Sequence, residues 1–244
     1  MIKVTPIRYT PNMDANEELL LALGLRKSYD SPSFRVFGAD SGSVALHAST
    51  PADSYHLTTD FRFSSDSLES LSEAVRSAGF AAEVSEQPHG MSMRVEYEAG
   101  LSFWVDAARG PIPAGSDSPA VTVNQIAFVR DVPRFGELLD ALGLRAQLRS
   151  NDGEFISFSA PGGGQVMDHD LGSSVASTES LSAFGLEYDG DAHLLLERLE
   201  GAGLRGSVVD ESYGRTLLLE DPDHPGKPIW INEKPTDLYG YQAL

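Results

Sequence analysis

The chain of 244 residues contains no cysteine. Disulfides, zinc–thiolate sites, iron–sulfur clusters and a cysteine nucleophile are therefore excluded. No run approaches the ~18 consecutive apolar residues that span a membrane. The start, Met1-Ile2-Lys3-Val4-Thr5-Pro6, lacks the apolar core of a signal peptide. A cytoplasmic protein without membrane contact is the expectation. Basic residues are scarce: 18 Lys and Arg stand against 36 Asp and Glu, a formal charge of −18. That balance repels phosphate backbones, so nucleic acid is not an expected partner, and a cationic ligand suits it better. Its general effect is solubility. No Gly-x-Ser-x-Gly nucleophile elbow occurs. Gly162-Gly163-Gly164 lacks the following Lys-Ser/Thr of a phosphate loop and reads as a hairpin turn. Asp221-Pro222-Asp223 lacks the later ligands of a calcium loop and also reads as a turn.

The chain does contain a repeat. Leu19-Leu20-Leu21-Ala22-Leu23-Gly24-Leu25-Arg26 returns as Leu138-Leu139-Asp140-Ala141-Leu142-Gly143-Leu144-Arg145. Each copy ends a helix whose apolar residues share one face and whose glycine stops it. Gly42-Ser43-Val44-Ala45-Leu46-His47 aligns with Gly164-Gln165-Val166-Met167-Asp168-His169. Ser77-Ala78-Gly79-Phe80 aligns with Gly201-Ala202-Gly203-Leu204, each closing a helix at about Leu68–Ser77 and Ala192–Gly201. Three matches in one order imply a tandem duplication of a unit of roughly 120 residues. Gly110 to Pro119 is rich in Pro, Gly and Ser and reads as the linker. Domains are expected at 1–112 and 119–244. Each half reads strand (Val4 to Thr10; Val121 to Val129), helix, three strands, then the same again. The result is an α+β chain of four βαβββ modules.

This order, the helix-ending Leu-Gly-Leu, and the closing segment Tyr213-Gly214-Arg215 … Asp221-Pro222-Asp223-His224-Pro225-Gly226-Lys227-Pro228-Ile229-Trp230-Ile231-Asn232-Glu233 resemble the vicinal oxygen chelate superfamily. That group holds glyoxalase I, extradiol dioxygenases and bleomycin-resistance-type proteins. The resemblance covers nearly the whole chain and implies two tandem domains whose curled mixed sheets each enclose a cleft.

The resemblance also implies where a metal would sit: on a His of a first strand and a Glu of a last strand. Imidazole and carboxylate hold a divalent ion and leave positions open for substrate oxygens. Here Pro6 precedes Ile7 and Gln125 precedes Ile126 at the first-strand slots. The last-strand slots hold Ala45, Trp104, Met167 and Trp230. No metal and no cofactor are expected. Side chains alternate faces along a strand. His47 and His169, two places past Ala45 and Met167, should therefore face the clefts. Asp106 and Asn232 should do so beside Trp104 and Trp230. Tryptophan offers a flat surface for a planar ligand or a cation. The expected ligand-binding set is Trp104, Trp230, His47, His169, Asp106, Asn232 and Gln125. The competing assignment for each tryptophan is the core, and for each histidine a satisfied strand end.

The leading expectation is a metal-independent small-molecule binding protein, a monomer or homodimer, sequestering a planar or cationic natural product. One alternative is a lyase, isomerase or dioxygenase-related enzyme of the same superfamily with a non-standard site, in which His47 or His169 beside Asp106 moves protons. Another is a pseudoenzyme whose clefts are filled by its own side chains.

Overall fold

The computed structural model describes residues 1–98, 101–108, 110, 120–172, 181–211, 213–236 and 238–244. Most of the expected linker, residues 111–119, lies outside them. The first module comprises β1 (Ile2–Val4), β2 (Ile7–Thr10), α1 (Met13–Ala22), β3 (Arg26–Asp30), β4 (Phe34–Gly38) and β5 (Ser43–Ala48). The second comprises β6 (Thr59–Asp60), β7 (Arg62–Ser65), α2 (Leu68–Ser77), β8 (Ala81–Gln87), β9 (Gly90–Glu98) and β10 (Leu101–Ala107). The third is β11 (Val121–Val129), α3 (Val132–Ala141), β12 (Arg145–Ser150), β13 (Phe155–Ser159) and β14 (Gln165–Asp170). The fourth is β15 (Ser182–Tyr188), α4 (Ala192–Gly201), β16 (Gly206–Glu211), β17 (Gly214–Glu220) and β18 (Pro228–Glu233), followed by β19 (Tyr241–Ala243). The order strand, helix, three strands thus occurs four times, with the opening strand of the first two modules broken in two.

The Leu-Gly-Leu stops work as expected. Gly24 (φ 95°) and Gly143 (φ 85°) take the left-handed conformation open to glycine. The next amides, Leu25 and Leu144, return to Leu20 O and Leu139 O at 3.0 Å, closing a Schellman motif on each helix.

In every module the first strand lies parallel to the last, as in β2 with β5 and β11 with β14. Modules then join through their first strands. In the C-terminal half β11 pairs antiparallel with β15, giving one nine-stranded sheet, β16-β17-β18-β15-β11-β14-β13-β12-β19. In the N-terminal half the same seam is interrupted. β2 pairs with β6 and β1 with β7, leaving two five-stranded sheets. The single strand expected from Val4 to Thr10 is split at Pro6, which has no N–H to give the ladder.

One apolar cluster draws on both halves, from Leu19, Leu20, Phe37 and Phe63 to Phe135, Leu139, Leu186 and Ile231. The halves also clasp each other through hairpin turns. Ser41 N donates to Val121 O and Val123 N to Ser41 O. Reciprocally, Gly162 N donates to Ile2 O and Val4 N to Gly163 O. The Gly162-Gly163-Gly164 turn is a hairpin turn, as expected, and its composition has a packing reason. A Cβ on Gly164 would collide with Val4 Cβ, and one on Gly162 would lie 2.5 Å from Ile2 O.

Buried charge completes the clasp. Arg8 Nη2 lies 2.8 Å from Asp221 Oδ1 and 3.4 Å from Asp223 Oδ2. Asp223 also accepts from Thr10 Oγ1 (2.7 Å), Asn12 Nδ2 (3.1 Å) and Asn16 Nδ2 (3.0 Å). Asp221-Pro222-Asp223 is a turn, with Asp223 N donating to Asp221 Oδ1, and it is also the counter-charge for the other half.

Candidate functional site

Each half has a sheet face turned away from the helices, and strand register shows which side chains line it. β10 places Leu101, Phe103 and Val105 in the core, so Ser102, Trp104 and Asp106 take the other face. Trp104 stands opposite Arg62 and Arg94, and Asp106 opposite Ser64 and Ser92. In the first module Ile7 faces Ala45 and Tyr9 faces His47, which is also opposite Phe34. Ile7, Tyr9 and Ala45, with Phe34 and Val36, form a small apolar cluster separate from the main core.

On this N-terminal face, which we read as one wall of a cleft, four rings meet. Tyr9 packs on Tyr55 at 4.3 Å and on His47 at 5.2 Å between centroids. Phe34 and Tyr55 meet the edges of His47 at 5.8 and 6.2 Å. Tyr55, on the loop after β5, is exposed. His47 Nδ1 lies 2.8 Å from Ala48 O, and since a carbonyl only accepts, Nδ1 is the donor in this contact. A polar chain begins under the rings. The Tyr9 hydroxyl donates to Asp60 Oδ2 at 3.2 Å, and Arg62 Nη2 is 3.5 Å from the same oxygen. Arg62 Nη1 donates to Asp106 Oδ2 at 2.9 Å. Asp106 Oδ1 accepts from Ser92 Oγ at 2.7 Å and lies 3.2 Å from His89 Nε2. Burial raises the pKa of Asp60, opposed by Arg62. Burial, helped by Asp60, pushes the Tyr9 hydroxyl up, so it remains a donor.

The C-terminal cleft repeats this plan with fewer charges. Asn124, Ile126 and Phe128 alternate with the core residues Val123, Ala127 and Val129. Phe128 and Phe155 flank His169 at 5.7 and 4.8 Å. Burial lowers the pKa of His169 to about 4, so it is neutral at physiological pH. Across the seam, Gly185 and Glu187 pair with Trp230 and Asn232, and Thr216 Oγ1 donates to Asn232 Oδ1 at 3.0 Å. Trp230 is 48% exposed on the open part of this face. Asn124 Oδ1 is buried here without a hydrogen-bond partner.

The structure thus brings Trp104 and Asp106 together in one cleft, with His47 on the neighbouring module. It places His169, Trp230 and Asn232 on the other cleft. Gln125 points elsewhere. It alternates with Asn124 and lies on the helix side, where Arg62 N donates to its Oε1 at 2.6 Å and its Nε2 to Arg62 O at 2.9 Å. The cleft-facing side chain before Ile126 is Asn124. Asp106 is engaged by Arg62, Ser92 and His89, not by His47. The sequence reading overlooked Tyr9, Phe34, Tyr55, Asp60, Arg62, Phe128 and Phe155. Two were findable: Tyr9 and Phe128 lie two places past Ile7 and Ile126, the same step that located the histidines.

Among the described residues no group of three His, Asp or Glu side chains is placed to hold a metal ion. The side chains at the strand positions that would carry ligands do not fit one. Pro6, Ala45 and Met167 offer no side-chain nitrogen or oxygen, the Gln125 amide is turned to the helix side and held by the Arg62 backbone, and Trp104 and Trp230 carry only an N–H donor. Asp60 and Asp106 are held by Arg62.

No family model and no curated protein match the sequence. Solved structures do match the fold. The 2,3-dioxygenase LapB from Pseudomonas sp. KL28 superposes with a TM-score of 0.60 at 11% identity, covering 96% of this chain and 91% of that one. Homoprotocatechuate 2,3-dioxygenase from Arthrobacter globiformis gives 0.59 at 14%, covering 99% and 79%. The Mn(II)-bound glyoxalase from Novosphingobium aromaticivorans gives 0.56 at 14%, covering 95% and 80%. At such identities the likeness shows the fold alone.

Proposed function

We propose that this is a metal-independent small-molecule binding protein whose principal site is the N-terminal cleft and whose ligand is a planar organic cation. The observation that carries the reading is the four-ring cluster of Tyr9, Phe34, His47 and Tyr55 set above Asp60, with Asp106 beyond Arg62. Aromatic faces attract cations and stack flat rings, and cleft walls of this kind bind drug-sized molecules. Trp104 adds a further flat surface beside Arg62. The overall charge of −18 raises the local concentration of a cation. We read the halves 1–112 and 119–244 as duplicated domains, the second carrying a subsidiary cleft with His169, Trp230 and Asn232. The protein acts in the cytoplasm and needs no second copy to complete a cleft, since one chain already holds four modules.

Thermal shift with N-methylacridinium, neutral acridine, Mn²⁺ and Zn²⁺ tests this. The cation should raise the melting temperature in a concentration-dependent way, acridine less, and the metals not at all. Stabilisation by a stoichiometric divalent metal, with none by the cation, would sink the proposal.

A further inference from the structure

The C-terminal residues Leu238–Leu244 return to the C-terminal half as an added strand. β19 pairs antiparallel with the outer strand β12, matching Tyr241 to Ser150, Gln242 to Arg149 and Ala243 to Leu148. Leu244 N donates to Gln147 O at 2.9 Å and Asn151 N to Gly240 O at 2.8 Å. β3, the corresponding outer strand of the N-terminal half, is exposed along its whole length and has no such cover among the described residues.

The route this segment takes follows from chain length. β18 ends at Glu233 and β19 begins at Tyr241, eight steps later, a reach of about 27 Å at full extension. In the sheet, β18 and β19 are separated by β15, β11, β14, β13 and β12. Six spacings of about 4.8 Å leave no slack in that reach even for a chain running straight across the strands. The two ends also lie at opposite ends of the strands: Glu233 pairs with Tyr188 beside Val121, whereas Ser150 lies near Phe155 and His169. β19 therefore reaches β12 from across the sheet rather than by following its strands in order. The Tyr241 side chain bears this out. Its ring meets Phe155 edge-on at 6.0 Å, and Phe155 packs on His169.

We propose that Leu238–Leu244 is a lid on the C-terminal cleft, and that this cleft admits a neutral planar ligand bearing an N–H or O–H donor when the β12–β19 pairing opens. The ligand class follows from the lining. Phe128, Phe155 and Trp230 supply ring faces, and Asn124 Oδ1 is a buried acceptor with no partner. Among the described residues no cation lines this cleft in the way Arg62 lines the other. The inference rests on reading the clefts as ligand sites, but the lid is tested apart from any ligand.

The chain has no native cysteine, so a clean lock can be built. Arg149 and Gln242 are cross-strand partners within disulfide range, and both are exposed. In the R149C/Q242C double variant, association of the neutral fluorophore N-phenyl-1-naphthylamine is followed by stopped flow, oxidised and after dithiothreitol. Association at least tenfold slower when oxidised, and restored by reduction, supports the proposal; equal rates in the two states overturn it. The second readout is the His169 imidazole titration by NMR, in the wild type, Tyr241→Ala and a chain ending at residue 237. Exposure should move its midpoint from about 4 upward by a unit or more. An unmoved midpoint in folded variants overturns the lid. A moved midpoint with no fluorophore binding in any form supports the lid and overturns the ligand class.

Discussion

Gln125 crosses from its own half to hold Arg62 with both ends of its amide, accepting from the backbone N–H at 2.6 Å and donating to the carbonyl at 2.9 Å. Arg62 in turn points its guanidinium into the N-terminal cleft between Asp60 and Asp106. A buried contact between halves thus fixes a cleft residue. The Arg62 carbonyl also accepts from Thr5 N, but the Arg62 N–H has Gln125 as its partner. Gln125→Ala should therefore destabilise by about 1–3 kcal/mol, the penalty for one orphaned buried donor. Gln125→Glu, which sets an oxygen against the Arg62 carbonyl, should exceed it at neutral pH. Urea denaturation checks this: the midpoint should fall with little change in slope.

The Arg8 cluster gives a second prediction. Its ionic side chains are less than a tenth exposed, so salt screens them weakly. Asp223→Ala leaves Arg8 with Asp221 alone and strands the Thr10 hydroxyl, while the Asn12 amide keeps Pro222 O and the Asn16 amide keeps Thr10 Oγ1 and Asn12 O. The expected loss is about 3–5 kcal/mol, as for other broken buried pairs. Thermal melts at low and high salt should show nearly the same loss. A deficit that vanishes at high salt would mean that this is an ordinary surface pair.

Asp168 carries a pH prediction. It is fully buried on the helix side of β14, neither carboxyl oxygen has a hydrogen-bond partner, and burial with Asp131 and Asp170 nearby raises its pKa to about 8. The folded chain therefore keeps a proton that the unfolded chain releases near pH ~4. The folded state binds the extra proton, so stability falls as pH rises from about 4 to about 8 and then levels off. The aligned residue of the first half is Leu46, an apolar solution to the same position. Asp168→Leu should stabilise the protein by a few kcal/mol at pH 8 and much less at pH 5, seen as a flatter plot of unfolding free energy against pH.

Tyr55 gives the binding prediction. Being exposed and on a loop, it contributes little to stability, so Tyr55→Ala should leave the melting temperature almost unchanged. It should weaken N-methylacridinium binding by about tenfold, the usual worth of one stacked ring. Trp230→Ala, in the other cleft, should leave that affinity intact. Titrations monitored by ligand fluorescence distinguish the two variants.

Local signals made the module order readable. The Leu-Gly-Leu stops mark the ends of α1 and α3, and strand alternation located the faces of His47, His169, Trp104 and Trp230. What stayed hidden depends on long-range packing. Gln125 sits one place from the cleft-facing Asn124, and only the partner strand decides which side it takes. Arg8 and Asp223 are more than two hundred residues apart, so nothing local announces their pairing. Asp221-Pro222-Asp223 reads correctly as a turn, while its second task depends on where the halves dock. The return of residues 241–243 to β12 leaves no mark in a three-residue strand.

The central claim, a cation site that needs no metal, is met most directly by isothermal titration of N-methylacridinium into protein stripped with EDTA. The account predicts saturable binding at one site per chain, unchanged when Mn²⁺ or Zn²⁺ is restored and weakened in Tyr55→Ala. Binding that is absent from the stripped protein and returns only with a divalent metal would contradict it.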